Sequence, residues 1–168
     1  MQIAFVVFVV VVAVALFLGF TTSIYNKLIS LRNYVKEAFS TMDVYLKQRW
    51  DLVPNLIETV KGYMAHEKET LEKLTALRSE NYSIKNAKQK MDINNKLSLG
   101  LSSVIATAEN YPDLKASESF NTLMQQLSSL EGEIATARKY YNGTVREYNT
   151  AIQTFPNCFF ARIFNFAP

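Results

Sequence analysis

The sequence predicts an all-α protein in which an N-terminal transmembrane helix is continuous with an antiparallel up-down four-helix bundle. Three observations carry this expectation. The N-terminus is one uninterrupted apolar run, apolar residues then recur at alternating steps of three and four, and only five glycines and four prolines break a chain of 168 residues. A sandwich or barrel needs many tight turns and the glycines to make them, so helices are the economical solution. Without the apolar run the chain is long enough for one core and calls for no second domain. The expected divisions are 1–22 for the anchor, 23–156 for the bundle and 157–168 for an apolar aromatic tail.

From Ile3 to Phe20 no polar side chain occurs. At 1.5 Å rise per residue that stretch is about 27 Å long, and Thr21 and Thr22 can complete a span of the ~30 Å hydrocarbon layer. The competing reading is a cleaved signal peptide, with Ala13 and Ala15 imitating a small-residue cleavage site. No Lys or Arg precedes the run, however, and it exceeds the roughly 7–15 apolar residues of such a peptide, so an uncleaved single-pass anchor is favoured. Lys27, Arg32 and Lys36 follow the span closely while no basic side chain precedes it, which puts the bundle on the cytoplasmic side.

The first domain helix is expected to run directly from the anchor to about Arg49, with Leu28, Leu31, Val35, Ala38, Met42 and Tyr45 on one face. Asp51 and Pro54 signal a break and a new helix, because Asp caps helices well and Pro suits a first turn. That second helix carries Leu56 or Ile57, then Val60, Met64, Leu71, Leu74 and Leu77 on its face, and it fades into a polar loop or frayed end over 79–90. The lysines there, Lys85, Lys88 and Lys90, read as solvated charge rather than as an anion-binding surface. A third helix from about Met91 to Glu109 presents Leu97, Leu101, Val104, Ile105 and Ala108. Pro112 stops it and Asp113 caps the fourth. In this last helix the rhythm from Phe120 through Leu127, Ile134, Tyr141 and Tyr148 to Phe155 is long enough to predict coiled-coil-like packing, until Pro156 ends it.

In an up-down bundle the fourth helix returns toward the membrane and brings the tail with it. Phe159, Phe160, Ile163, Phe164 and Phe166 are too apolar to remain in water. They can lie in the membrane interface, contact another subunit or pack on the bundle, and the first two are favoured.

The chemistry-bearing residues are few. His66-Glu67 would need a histidine at position 70 to form a zinc pair on one helix face, and Thr70 stands there. The glycines are isolated, which excludes a phosphate loop. The acidic pairs Glu67 with Glu69 and Glu131 with Glu133 lie on helices rich in basic residues, where solvated faces or ion pairs account for them. The lone Cys158 cannot form an internal disulfide. A formal charge of +3 built from interleaved acids and bases argues against nucleic-acid binding. No cofactor, metal or catalytic site is expected. The polar residues Asn26, Arg49, Asn55, Glu58, Arg138, Asn142 and Asn149 stand out within the helical pattern, accompanied by Tyr25, Tyr63, Tyr141 and Tyr148. They are read as buried hydrogen-bonding groups that fix helix register, with a partner-binding patch as the alternative.

Ordered blocks carry a family resemblance. They are Tyr25-Asn26, Leu31-Arg32-Asn33, Asp43-Val44, Leu46-Lys47-Gln48-Arg49, Asp51-Leu52-Val53-Pro54-Asn55-Leu56, Glu58-Thr59-Val60-Lys61-Gly62-Tyr63 and His66-Glu67. A second set is Tyr111-Pro112, Leu114-Lys115-Ala116, Ile134-Ala135-Thr136-Ala137-Arg138, Tyr141-Asn142, Tyr148-Asn149 and Phe155-Pro156. Over about residues 25–156 the chain resembles the LemA family, with Phe39 where that family often has Trp. The resemblance implies a bacterial single-pass protein of the cytoplasmic (inner) membrane, an antiparallel helical bundle and no assigned catalysis. The expected function is that of a membrane-anchored, non-catalytic scaffold that forms a homo-oligomer or binds another membrane protein. The alternative is a membrane-surface protein that binds or shapes the lipid bilayer through its tail and lysines.

Overall fold

The computed structural model describes residues 1–64, 67–78 and 86–168. The described residues are helical with no strand: α1 spans Gln2–Lys61, α2 Lys68–Arg78, α3 Ala87–Ala108, α4 Pro112–Ala116, α5 Glu118–Gln153 and α6 Asn157–Ile163. They divide into two compact units, one made of 1–40 and 138–168, the other of 41–137.

In the first unit the apolar run is helical and solvent-exposed throughout, and α1 is long and apolar enough to cross a membrane. Thr21 and Thr22 donate their hydroxyls back to the carbonyls of Phe17 and Leu18, at 2.9 and 2.8 Å. Each hydroxyl is thereby satisfied within the helix, which lets a threonine sit in an apolar layer. The unit's core then begins at Ile24, Leu28 and Leu31, which pack with Tyr148 and Ile152 of α5 and with Ala161 and Phe166 of the tail. Phe39 meets Tyr141 edge to face, ring centroids 5.7 Å apart, so the aromatic position is kept without Trp.

The second unit holds the larger share of the apolar seams. Met42, Leu46, Trp50, Val53, Leu56, Val60 and Met64 are buried, as are Leu71 and Leu74 of α2, Ile93, Leu97, Leu101, Val104 and Ala108 of α3, and Phe120, Leu123, Leu127, Ile134 and Ala137 of α5. On α2, Lys73 donates to Glu69 at 2.7 Å and holds that exposed carboxyl below its ordinary range. α2 packs on α3, where Gly100 permits a close approach: a Cβ there would lie 3.2 Å from Leu74 Cδ1. A methyl group there would need the end of the Leu74 side chain to give by a few tenths of an ångström, against the about 1 kcal/mol that a mid-helix glycine costs relative to alanine.

Four boundaries differ from the sequence expectation. The break at Asp51 and Pro54 does not exist, since α1 continues through Pro54 to Lys61. An interior proline costs about 3 kcal/mol, but Val53, Leu56 and Val60 are each fully buried only if the helix stays in phase, at about 1.5–3 kcal/mol per side chain. Burial wins. α1 and α2 are separate helices, with Gly62 and Tyr63 in a turn after Lys61. α3 starts at Ala87 rather than near Met91, because Asn86 and Gln89 form a reciprocal capping box at 2.9 and 3.0 Å. Lys88 and Lys90 are therefore helical, and Lys90 is ion-paired to Asp43 at 2.5 Å rather than solvated. The remainder of that polar stretch, 79–85 with Lys85, lies outside the described residues. Finally, Asp113 does not cap the last helix. It sits in the first turn of α4, and the extended backbone of Ser117 separates α4 from α5, with the Ser117 hydroxyl accepting from the Phe120 amide at 3.5 Å.

The tail is itself helical, and α5 ends at Gln153, three residues before Pro156. A residue that precedes proline is pushed out of the helical region, which is why the chain turns here.

Candidate functional site

Two groups of residues carry functional potential, one in each unit. In the second unit Arg49 is completely buried although it is charged. Its guanidinium donates through Nη1 to Ser98 Oγ at 3.0 Å and to Glu131 Oε1, and through Nη2 to the Asn94 carbonyl at 2.9 Å and to Asn94 Oδ1. One side chain of α1 thus makes three hydrogen bonds to α3 and one to α5. The Glu131 side chain is 50% exposed, so the pair is dry at the cation and wet at the anion. Burying a guanidinium is tolerable only when it is hydrogen-bonded and an opposite charge is near; here both terminal nitrogens are bonded and the Glu131 carboxylate is the counter-charge.

Of the other six polar candidates, Asn26, Asn55, Glu58 and Asn142 are exposed, and Arg138 and Asn149 are half-buried. The expectation that all seven are buried is therefore corrected for the four exposed ones. The reason is helical phase. Arg49 has apolar neighbours three or four residues away on both sides (Leu46 and Val53), as do Arg138 (Ile134 and Tyr141) and Asn149 (Val145 and Ile152). The four exposed residues lack an apolar neighbour on at least one side and turn away from the seam. The same test selects Asn94, between Met91 and Leu97, which the sequence reading missed. Of the two expectations for Glu131, a solvated face or an ion pair, the structure shows the ion pair, with Arg49.

In the first unit the five tail candidates separate. Phe166 is buried against α1, with its ring 5.7 Å from that of Tyr25 and under the Arg32 guanidinium at 5.2 Å. Phe160 is half-buried against Phe17 and Phe20 of the apolar run, at 6.5 and 6.1 Å. Phe164 touches Tyr25 edge to face at 5.0 Å. Tyr148 donates its hydroxyl to the Ala167 carbonyl at 2.9 Å and ties down the chain beyond α6. The tail is therefore self-packed along one side, and Phe166 as an interaction residue is corrected, because its ring already fills the protein's own core. Phe159 and Ile163 point outward, joined by Phe155, which is 75% exposed and 6.0 Å from Phe159. Phe159 and Ile163 stand one turn apart on α6, and the Phe155 ring, in the turn before it, extends them into one apolar stripe through its contact with Phe159.

Tyr63 is exposed, and Cys158 is a half-buried free thiol. Among the described residues no three of His, Cys, Asp and Glu converge as metal ligands do, and His66 lies outside the described residues.

The pattern that defines the LemA family matches residues 38–168. Protein LemA of Metamycoplasma hominis is 29% identical over 135 residues, an alignment that covers 79% of this chain and 62% of that protein. The chain thus spans under two thirds of that relative's length.

Proposed function

From the premise that this chain belongs to the LemA family, we propose that it is a membrane-anchored, non-catalytic helical scaffold that assembles with further copies of itself or with another membrane protein. The observation that carries this reading is the docking of the tail on the anchor: Phe160 lies against Phe17 and Phe20, and Phe155, Phe159 and Ile163 are left as an outward apolar stripe beside an exposed apolar helix. The apolar run of α1 is the single-pass anchor in the cytoplasmic membrane of a bacterium, with the rest of the chain on the cytoplasmic side. In the second unit α1, α2, α3 and α5 make an up-down four-helix bundle, and Arg49 fixes their register through α3 and α5.

The anchor offers little for pairing by itself, since only Ala15 and Gly19 stand at small-xxx-small spacing. The tail stripe supplies what the anchor lacks. Burial of an apolar side chain of this size contributes about 1.5–3 kcal/mol, so three per subunit exceed the cost of ordering these side chains. Light scattering or native mass spectrometry of the full-length protein in mild detergent tests the reading. A dimer or larger assembly is expected, and a monomer would refute self-assembly.

A second reading is supported by the same contact. A stripe at the level of Phe17 and Phe20 is also placed to enter the lipid interface, where aromatic and aliphatic side chains partition well. The chain is then a membrane-surface protein, and it is monomeric in detergent.

A further inference from the structure

We propose that the groove between α1 and α5 in the first unit is a headgroup site for an anionic phospholipid, held through its phosphate. The proposal rests on the membrane-anchored reading and adds a ligand to it. The groove is open to solvent on one side, has a volume of about 600 Å³, and its polar lining is Lys27, Arg146, Glu147, Thr150, Thr154 and Asn157.

Three observations point to this occupant. The first is charge. The unit that carries the apolar run has seven basic and two acidic side chains, whereas 41–137 has eleven basic and thirteen acidic, so positive charge is concentrated beside the anchor. Anionic lipid surfaces attract basic residues placed in this way. The second is the unused bonding capacity of the lining. Lys27, Arg146 and Glu147 form no ion pair among the described residues, which leaves one net positive charge facing one phosphodiester. Lys27, Arg146, the Thr150 hydroxyl and the Asn157 amide are donors for its oxygens. The Thr154 hydroxyl is already spent on the Thr150 carbonyl at 2.7 Å. Glu147 repels a bare phosphate but accepts from a hydroxylated headgroup, which favours a glycerol-type headgroup over a choline. The third is height. Lys27 lies five residues beyond Thr22, about 7 Å along the helix, and the headgroup layer on each side of the hydrocarbon is of that thickness.

The test uses full-length protein in mild detergent, titrated with phosphatidylglycerol, phosphatidylethanolamine or phosphatidylcholine and read by native mass spectrometry. Phosphatidylglycerol is expected to be retained roughly tenfold better than phosphatidylcholine, and the advantage should vanish in Lys27→Gln/Arg146→Gln but persist in Lys36→Gln/Lys139→Gln, which removes the same charge elsewhere on the unit. Equal retention of all three lipids, equal loss in both double variants, or equal retention of glycerol 3-phosphate would overturn the proposal, the last by assigning the groove to a soluble phosphate. Should the groove variant melt early, Glu147→Gln decides, because glutamine keeps an acceptor for the headgroup hydroxyl and removes only the charge that repels the phosphate: tighter phosphatidylglycerol retention supports the site and weaker retention refutes it. Flotation of the wild-type protein with phosphatidylcholine vesicles is read separately. Failure there refutes the anchor, whereas flotation without headgroup selectivity refutes only the groove.

Discussion

Arg49 of α1 reaches both oxygens of Asn94 on α3, the side-chain Oδ1 and the main-chain carbonyl, the latter at 2.9 Å. This pairing is expected to dominate the stability of its unit. Arg49→Met fills part of the volume but strands the Asn94 side chain, and should cost about 3 kcal/mol in urea unfolding. Glu131→Gln removes only the half-exposed partner and should cost about 1 kcal/mol or less. If the two variants cost the same, the guanidinium is not the centre of the network.

The tail stripe predicts a separation of assembly from folding. Phe155→Ser, Phe159→Ser and Ile163→Ser together should convert an oligomer in mild detergent to a monomer while the helical circular dichroism signal and melting temperature persist, because all three side chains are exposed. A triple variant that stays assembled assigns the stripe to lipid.

Phe166 should behave in the opposite way. Phe166→Ala empties a buried site against Tyr25 and Arg32, so a loss of about 3 kcal/mol in stability is expected from chemical denaturation, with the oligomeric state unchanged where the protein remains folded.

At Gly100 a single methyl group meets only the ends of two flexible side chains, Leu74 at 3.2 Å and Leu77 at 3.8 Å. Gly100→Ala should therefore be neutral or stabilise by up to about 1 kcal/mol through helix propensity, whereas Gly100→Leu should destabilise by about 1–3 kcal/mol through overpacking. Thermal melts of the two variants should move apart. Movement in the same direction would show that α2 and α3 are not closely packed there.

Pro54→Ala restores a backbone donor inside α1 and should raise stability by about 1–3 kcal/mol. A loss would mean that the proline ring packs better than its half-buried environment suggests.

The seams of this protein are legible in its sequence because burial follows the 3,4 rhythm with little distortion. Leu28 to Met42, Leu97 to Ala108 and Phe120 to Ile152 are buried or half-buried at nearly every periodic position, Ile105 being exposed. The helix limits are less legible, since several local signals have two meanings. Pro54 reads equally as a first-turn residue or as a tolerated interior one, and only the burial of Val53 and Leu56 distinguishes them. Asn86 with Gln89 is a readable capping box that a polar composition disguised as loop. For the candidate sites, polarity within a helical stretch was too coarse a criterion. An apolar flank three or four residues away on each side separates Arg49, Arg138 and Asn149 from Asn26, Asn55, Glu58 and Asn142. The division of the tail was not readable, because Phe160 differs from Phe159 only in which way a short helix is rolled against Phe20, and Phe166 is brought back onto Tyr25 by a turn beyond α6, where Asn165 has φ 55°.

The hydroxyls of Thr21 and Thr22, closed onto the carbonyls of Phe17 and Leu18, make the lower edge of the apolar run adjustable. In a bilayer, as proposed for α1, these two residues can stand on either side of the hydrocarbon boundary at little cost. Two residues of helix amount to about 3 Å, similar to the thickness differences among natural membranes. Such a helix is matched to a range of bilayers without tilting, so its partition between thin and thick membranes is set by the groups fixed just above it and not by the length of the run.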